Sequence, residues 1–277
     1  MKAQAAVFRE IGVDLTIEEV DIDEPRANEV LIKTAACGVC HSDVHFAKGA
    51  IAGPVPTIPG HEPAGIVEAV GEGVTNVAVG DHVIACTSMF CGQCKQCLQG
   101  RPHLCMDRRS CQRPKGETPR ISINGERITQ FADLSAFCEK MLVHETAVVK
   151  IDSEIPLDRA ALVGCAVTTG VGAALNTAQV KPGSTVAVFG VGGIGISIIQ
   201  GARIAGAKQI IAIDVVPRKL ETARHFGATH TVLGGPDSID GDAVKAIKKL
   251  SKGGVDYAFD AVGMPQLSQQ CLYALAP

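Results

Sequence analysis

Two side chains in the first quarter of the chain could bind a metal ion. The sequence reads C-H-S-D-V-H at 40–45 and G-H-E at 60–62, so a Cys40 thiolate and a His61 imidazole lie 21 residues apart. Both are zinc ligands by type, but zinc usually takes at least three protein ligands, and two alone make a poor site. The alternative interpretation is a buried cysteine and a hydrogen-bonded core histidine.

Four neighbours of these two residues could support metal chemistry. Asp43 and Glu62 are carboxylates that could orient a ligating histidine by accepting a hydrogen bond from the ring nitrogen that does not bind the metal. Ser42 and His45 are a hydroxyl and an imidazole that could pass a proton outward. This surrounding chemistry favours a metal site over the alternative.

A third ligand could come from Cys165. It lies in the apolar segment Leu157–Ala178, whose composition predicts a helix. Alone, a cysteine in such a segment usually fills a core. Together with the thiolate and imidazole described above it gives a Cys₂His set with an open fourth position, which is the composition of a catalytic zinc site.

Four further cysteines form a separate pattern. Their spacings are three, three and eight residues, at Cys91, Cys94, Cys97 and Cys105. Four thiolates in one loop can close a tetrahedral zinc site, and such a site is structural because no position is left for water or substrate. Four unrelated cysteines or a redox pair are the alternatives.

A glycine-rich turn in the second half of the chain predicts a dinucleotide site. A buried strand at Ser184–Phe189 leads into G-V-G-G-I-G at 190–195, and a helix is predicted at Ile196–Ala205. The next strand, Gln209–Ile213, ends at Asp214. This strand, glycine turn, helix and acid are the context that the G-x-G-x-x-G fingerprint requires.

The chemistry of that turn suits a pyrophosphate and a ribose. The glycines let backbone amides and the helix N-terminus approach the pyrophosphate. Asp214 can accept hydrogen bonds from both ribose hydroxyls and would repel a 2′-phosphate, so the sequence favours NAD over NADP. A glycine-rich turn without a ligand is the alternative.

The elements that must position these residues change character along the chain. The segment Gly49–Gly60 is predicted to be a loop that delivers His61, Asp107–Gly125 a second loop, and Gln130–Lys150 a return to β-type packing. Strands are predicted in the first half at Ala3–Phe8, Leu15–Val20, Glu29–Ala36, Gly65–Val70 and Asp81–Cys86.

Composition narrows the class of protein. The 277 residues are enough for two domains, and 46% hydrophobic with 20% charged residues is ordinary for a globular protein. The net charge is −3 without a basic run, so neither nucleic acid nor a membrane surface is an expected partner. No signal peptide or apolar span is found, and eleven cysteines then indicate thiolate chemistry in the cytoplasm.

Taken together, the motifs resemble those of zinc-dependent alcohol dehydrogenases of the medium-chain dehydrogenase/reductase superfamily. The resemblance rests on G-H-E-P-A-G-I-V-E-A-V-G-E-G-V, the four-cysteine lobe, G-C-x-x-T-T-G and G-V-G-G-I-G, and it runs the length of the chain. It implies an α/β fold class. A GroES-like β domain is expected at 1–166, with a structural zinc lobe at about 91–105, and a Rossmann dinucleotide-binding domain at 167–277.

The resemblance also implies roles for single residues. It gives the catalytic zinc to Cys40, His61 and Cys165, and the structural zinc to Cys91, Cys94, Cys97 and Cys105. It gives the proton relay and the support of the metal to Ser42, His45, Asp43 and Glu62. It gives the cofactor contacts to His41, Thr169, Gly190, Gly192, Gly193, Ile194, Gly195, Asp214 and Lys219.

Within the cofactor set, the family places a basic residue at the position of His41, against the pyrophosphate. Asp214 and Lys219 correspond to contacts with the adenosine ribose, and Thr169 and Ile194 to contacts with the nicotinamide.

The activity implied is the interconversion of an alcohol with an aldehyde or ketone by hydride transfer, using two zinc ions per chain and NAD. A homo-oligomer is expected for the full-length protein. One alternative is the polyol-dehydrogenase branch, in which a Glu tends to supply the third zinc ligand where this chain has Cys165. A non-catalytic zinc-binding remnant is another.

Four Rossmann strands are predicted, in the order 3-2-1-4 of a six-stranded sheet, at 184–189, 209–213, 229–233 and 256–260. Strands five and six are expected to be missing, so the Rossmann domain is expected to be truncated. We therefore expect this chain to bind ADP-ribose about as well as NAD, to turn over little substrate and to aggregate readily.

Overall fold

The computed structural model describes residues 1–235 and 242–277. They form two compact units, Met1–Cys165 and Ala166–Pro277. The division falls between Cys165 and Ala166, one residue before the predicted end of the first domain.

The first unit is built mainly from short strands. Their bounds are β1 (Lys2–Val7), β2 (Thr16–Ile22), β3 (Glu29–Gly38), β4 (Thr57–Ile58), β5 (Glu62–Val70), β6 (His82–Ala85), β7 (Ile121–Ile123), β8 (Glu126–Arg127), β9 (Thr129–Gln130), β10 (Lys140–His144) and β11 (Val148–Lys150). Three sheets result, with strand orders β1-β2-β7-β8, β10-β3-β5-β6-β11 and β4-β9.

The five-stranded sheet lies between two apolar cores. Val30 and Ile32 of β3 pack in one buried cluster with Met141 of β10. Leu31 and Leu142, the alternate residues on the same strands, pack in the other. Because side chains alternate between the faces of a strand, each strand contributes to both cores.

The antiparallel pairing of β3 with β5 explains how distant ligands meet. The last pair of the ladder joins Gly38 to Glu62. Cys40 lies just beyond the end of β3, and His61 lies just before the start of β5. The chain therefore brings the two residues to the same edge of the sheet.

Three short helices complete the first unit: α1 (His41–Ala47), α2 (Lys95–Leu98) and α3 (Leu157–Ala160). Two loop predictions are wrong in part. Gly49–Gly60 contains β4, which pairs in parallel with β9. Asp107–Gly125 contains β7, whose Ile121 is fully buried and pairs with β2. Both strands are too short to show a period in the sequence, so tertiary pairing decides them.

The predicted helix Leu157–Ala178 is interrupted. After α3 the chain forms a 3₁₀ turn at Ala161–Gly164, and Cys165 then leaves helical geometry with φ −134° and ψ −78°. The helix α4 (Ala166–Gly172) and a π-helical turn at Ala173–Thr177 follow. Cys165 is thus held at a break between helices and not within one.

The second unit contains a four-stranded parallel sheet in the order β14-β13-β12-β15. The strands are β12 (Thr185–Phe189), β13 (Gln209–Asp214), β14 (His230–Leu233) and β15 (Tyr257–Asp260). All five residues of β12 are buried, as a central parallel strand covered on both faces requires. This order is the predicted 3-2-1-4, and the Rossmann prediction is confirmed.

Helices cover both faces of this sheet. Their bounds are α5 (Gly193–Ile204), α6 (Pro217–Phe226), α7 (Ala243–Ser251) and α8 (Pro265–Ala274). Val188 of β12 packs in a cluster with α5 and α6, and its neighbour Phe189 packs in a cluster with α7 and α8. The helix α5 begins three residues before its predicted start at Ile196, because the last three residues of the glycine turn already have helical geometry.

Across residues 1–235 and 242–277, no single helix is long and apolar enough to cross a membrane; the helices at 157–164 and 166–177 reach that length and apolarity only when taken together as one bent pair.

Candidate metal centres and dinucleotide site

Cys40 is held in place by the start of α1. It is the N-cap residue of that helix, and its backbone N–H donates to Asp43 Oδ2 at 3.0 Å. Its thiol lies 3.7 Å from Ser42 Oγ, to which it can donate. An Asp at the third position of a helix is well placed to bond the N-cap amide in this way.

Asp43 also fixes His61. Its side chain is buried, and Oδ1 accepts from the Gly60 backbone N–H at 3.0 Å and lies 3.1 Å from His61 Nδ1. This contact assigns the proton to Nδ1, so Nε2 is the atom that faces outward. His61 Nε2 lies 3.6 Å from Cys165 Sγ.

The predicted ligands of the catalytic metal come together with Glu62. The ligand atoms of Cys40, His61, Glu62 and Cys165 all lie within 4.8 Å of one another. Zinc bonds of about 2.3 Å to sulfur and about 2.0–2.1 Å to nitrogen, at tetrahedral angles, separate the two ligand atoms by about 3.5–3.6 Å. The observed distance from sulfur to nitrogen, 3.6 Å, therefore fits a zinc ion.

The metal-free site binds protons that a metal must displace. The hydrogen bond with Asp43, followed by the contact with Cys165, raises the pKa of His61 to about 11. His61 lowers the pKa of the Cys165 thiol, but burial and the nearby Cys40 outweigh it and leave that pKa raised. Zinc binds neutral imidazole and thiolate, so its binding releases these protons.

The four cysteines of the lobe also form one cluster, with all their sulfur atoms within 4.8 Å of one another. Cys94 Sγ lies 3.5 Å from Cys97 Sγ and 4.0 Å from Cys105 Sγ. Tetrahedral zinc with bonds of about 2.3 Å would place two sulfur atoms about 3.8 Å apart. The cluster therefore fits a closed zinc site.

Backbone amides aim at these sulfur atoms. Cys94 N–H donates to Cys91 Sγ and Cys91 N–H to Cys105 Sγ, each at 3.3 Å. Hydrogen bonds from the backbone N–H groups of Cys97 and Met106 lower the pKa of Cys94 to about 6. Such bonds favour the thiolate, which is the form that binds zinc.

The two relay candidates lie on α1. Ser42 is half-buried and contacts Cys40, whereas His45 is exposed and contacts His41. The rings of His41 and His45 meet edge to face with centroids 5.4 Å apart. The structure thus places Ser42 beside the metal cluster and His45 beside His41, the predicted pyrophosphate contact.

The glycine turn has the geometry that its sequence requires. Gly190 has φ +85°, and a Cβ there would lie 2.3 Å from Val262 Cγ2. A Cβ on Gly195 would lie 1.9 Å from the Gly190 carbonyl oxygen, so both positions exclude a side chain. Gly192 caps α5 and has open space around it, and Gly193 is the first residue of the helix.

Asp214 ends β13 beside this turn. It is 8% exposed, and its two oxygens accept from the backbone N–H groups of Val191 at 2.8 Å and Val216 at 2.9 Å. Lys219 Nζ lies 3.8 Å from Oδ2. The carboxylate is therefore fixed at the carboxyl end of the sheet, where open α/β sheets bind their ligands.

A cavity of 760 Å³ opens at this end of the second unit. Gly190, Asp214 and Lys219 line one part of it, and Gln270 and Tyr273 of α8 line another. The cavity, the glycine turn and the fixed carboxylate fit the adenosine half of a dinucleotide. The residues of α8 carry no motif, and only the folding of the helix onto the sheet brings them here.

Besides Gly192, Gly193 and Gly195 of the glycine turn, three further predicted cofactor contacts are not among the residues that line this cavity. Thr169 is exposed on α4, and Ile194 is 37% exposed in the first turn of α5. His41 is exposed at the first residue of α1. Their roles stay predictions.

Comparison with known families matches both units. Residues 26–153 match the alcohol dehydrogenase GroES-like domain, and residues 193–277 match the zinc-binding dehydrogenase family.

Solved structures show the same likeness. A zinc-binding-domain alcohol dehydrogenase protein from Burkholderia ambifaria is 36% identical with a TM-score of 0.91, over 99% of this chain and 74% of its own. The benzyl alcohol dehydrogenase of Acinetobacter calcoaceticus is 32% identical with a TM-score of 0.89, over 100% and 75%. A zinc-binding dehydrogenase from Sinorhizobium meliloti, bound to NADP, is 29% identical with a TM-score of 0.81, over 100% and 74%.

The predicted family and fold are thus confirmed. With two family models covering both units and two structural relatives above 30% identity across the whole chain, the protein belongs to the zinc-binding alcohol dehydrogenases of the medium-chain dehydrogenase/reductase superfamily.

Proposed function

We propose that this protein is a cytoplasmic, zinc-dependent NAD(H) oxidoreductase that interconverts an alcohol with an aldehyde or ketone. The observation that carries the proposal is the cluster of Cys40, His61, Glu62 and Cys165. Its donor atoms suit zinc, and its ligand set is the Cys₂His composition of catalytic sites. All eleven cysteines are free thiols, which supports a reducing compartment.

The four residues of the cluster would have different roles. Cys40, His61 and Cys165 would hold the metal, and Glu62 would offer a carboxylate oxygen during ligand exchange. A zinc ion held there supplies Lewis-acid chemistry, which lowers the pKa of a substrate alcohol toward neutrality. Asp43 keeps the His61 ring oriented through the bond at Nδ1.

A proton would leave through α1. Ser42 Oγ lies beside Cys40 and can pass a proton, because a hydroxyl both donates and accepts. His45 is exposed and can exchange that proton with water.

The second unit would bind NAD. The open space at Gly192 and the start of α5 suit a pyrophosphate. Asp214 would accept hydrogen bonds from the ribose hydroxyls, and its fixed negative charge supports NAD over NADP. Thr169 and Ile194 would contact the nicotinamide, which supplies the hydride acceptor when bound.

Turnover with a metal-ligand variant tests the proposal. A panel of primary, secondary and benzylic alcohols with NAD, and the matching carbonyls with NADH, should show a reaction, at the low rate expected of this chain, that Cys40→Ser abolishes. The matched control is Cys138→Ala. Cys138 is a buried thiol in the apolar core that contains Leu31 and Leu142, away from the metal cluster, and its loss should leave the rate unchanged. A rate that survives Cys40→Ser, or reduction that needs no zinc, would contradict the proposal.

A further inference from the structure

One glycine beside the metal cluster has no place in the motifs. Gly38 is the last residue of β3 and lies directly opposite Glu62 in the antiparallel ladder. Opposing residues of such a pair project their side chains to the same face of the sheet, with Cβ atoms about 4.5–5.5 Å apart. A side chain at position 38 would therefore share its space with the side chain of Glu62.

The space above Gly38 is already filled. A Cβ built on Gly38 would lie 2.2 Å from Glu62 Oε2, 3.1 Å from Glu62 Cβ and 3.1 Å from Leu162 Cδ2. Real Cβ atoms essentially never approach another heavy atom within 3.0 Å. Gly38 does not have a positive φ, so backbone conformation does not explain the glycine.

The filled space decides where the Glu62 carboxylate lies. The side chain folds back across the end of β3, is buried, and keeps a carboxylate oxygen within 4.8 Å of the three other ligand atoms. A methyl group at position 38 must push the carboxylate away, because the Glu62 backbone is fixed in β5.

We propose that Gly38 is a positioning residue for Glu62: its missing side chain leaves the space in which the carboxylate lies beside the metal cluster. The inference rests on the metal site of the proposed function. Groups that orient or support metal ligands typically change metal affinity about 10–100-fold when they are removed. Gly38 acts only through Glu62.

A double-mutant cycle tests this dependence. Gly38→Ala should lower the affinity for zinc at the Cys40-dependent site about tenfold, by displacing the carboxylate. Glu62→Ala should lower it similarly, and Gly38→Ala in the Glu62→Ala background should add less than about twofold, because residues that act as a unit are non-additive. Competition with a chromophoric chelator gives the affinities, and the visible absorption of the cobalt-substituted protein reports the ligand geometry.

Two further measurements distinguish a local effect on the metal site from a general loss of folding. Zinc in the four-cysteine lobe serves as an internal control and should be unchanged in all three variants. Gly38→Ala strains the ladder, so the double variant, in which the carboxylate is gone, should also regain part of any loss in thermal stability.

Unchanged or tighter zinc affinity in Gly38→Ala, or the same loss in both backgrounds, would overturn the role of Gly38. Failure of the underlying metal site looks different. In that case Cys40→Ser would leave the zinc content of the protein unchanged.

Discussion

At the scale of single residues, three bonds to one buried carboxylate organise the metal cluster. Asp43 contacts the amide of Cys40, the amide of Gly60 and the ring of His61. The first and last of these partners are predicted ligands. The side chain therefore sets both the position of the helix and the tautomer of the histidine.

Asp43→Asn should weaken zinc binding at this site by about 10–100-fold, because the amide cannot replace both accepting oxygens. The control is Asp81→Asn, which changes a carboxylate that pairs with Lys150 on the surface of the same unit. Chelator competition measures both. Equal zinc affinities for the two variants would contradict the role of Asp43.

Asp214→Ala should relax the preference for NAD over NADP by removing a carboxylate that would repel the 2′-phosphate. Its control is Asp260→Asn, at the end of β15 on the other side of β12, where the carboxylate accepts from the Val262 and Gly263 amides. Calorimetric titration with both cofactors measures the preference. A wild-type protein that already prefers NADP would show that the interpretation of Asp214 is wrong.

Glu29 makes the free energy of unfolding of the first unit depend on pH in the acid range. Burial alone would raise its pKa, but hydrogen bonds from Arg113, the Arg26 amide and Arg120 lower it to about 2. The folded pKa lies below the ordinary value near 4.5, so the stabilisation is present above about pH 4.5 and is lost as the pH falls toward 2. A difference of this size corresponds to about 3 kcal/mol.

Glu29→Gln should therefore lower the free energy of unfolding at pH 7 by about 3 kcal/mol and flatten its decline below pH 4.5. Glu19→Gln, an exposed residue of β2, should change it by less than about 0.5 kcal/mol. Denaturant unfolding between pH 2 and 7 measures both. If the acid unfolding transition were the same in Glu29→Gln as in the wild type, the hydrogen bonds to Glu29 would not be the cause of this pH dependence.

At the scale of elements, the sequence predicts those strands and helices that show a hydrophobic period or contain a motif. The strands of the Rossmann unit follow from apolar runs and the glycine turn, and their order follows from the resemblance to the Rossmann fold. The metal ligands follow from residue type, although the β3–β5 pairing that joins Cys40 to His61 is a property of the sheet. The short strands β4 and β7 and the helix break at Cys165 depend on tertiary contacts, which local pattern cannot report.

Substitutions at two glycines of the turn should have separate effects, one on packing and the other on cofactor binding. Gly195→Ala places a Cβ against the Gly190 carbonyl and should destabilise the second unit by about 1–3 kcal/mol, as overpacking does. Gly192→Ala meets nothing within 4 Å, so it should keep the stability but weaken NAD binding, because the methyl group occupies the approach of the pyrophosphate. Thermal unfolding and calorimetry measure the two effects. Equal destabilisation by both would contradict this division.

At the scale of the whole molecule, cofactor binding should depend chiefly on the adenosine half. Under the proposed function, the cavity at the carboxyl end of the sheet would hold the adenosine, and the glycine turn beside it would hold the pyrophosphate. We therefore predict that ADP-ribose binds within about threefold of NAD, a difference below about 1 kcal/mol. Calorimetric titration of the 277-residue chain compares them. Tight binding of NAD with weak binding of ADP-ribose would contradict this prediction.

We infer that one chain holds two zinc ions in sites of different kind. The four-cysteine site is closed and should release its ion slowly, whereas the Cys₂His site is open to exchange. Cys40→Ser should remove one ion and Cys94→Ser the other.

The most direct test is to count zinc by mass spectrometry before and after dialysis against a chelator. We predict two zinc ions per chain in the purified protein and one after dialysis, the remaining ion depending on Cys94. One ion or none in the intact purified protein, or loss of both at the same rate, would contradict it.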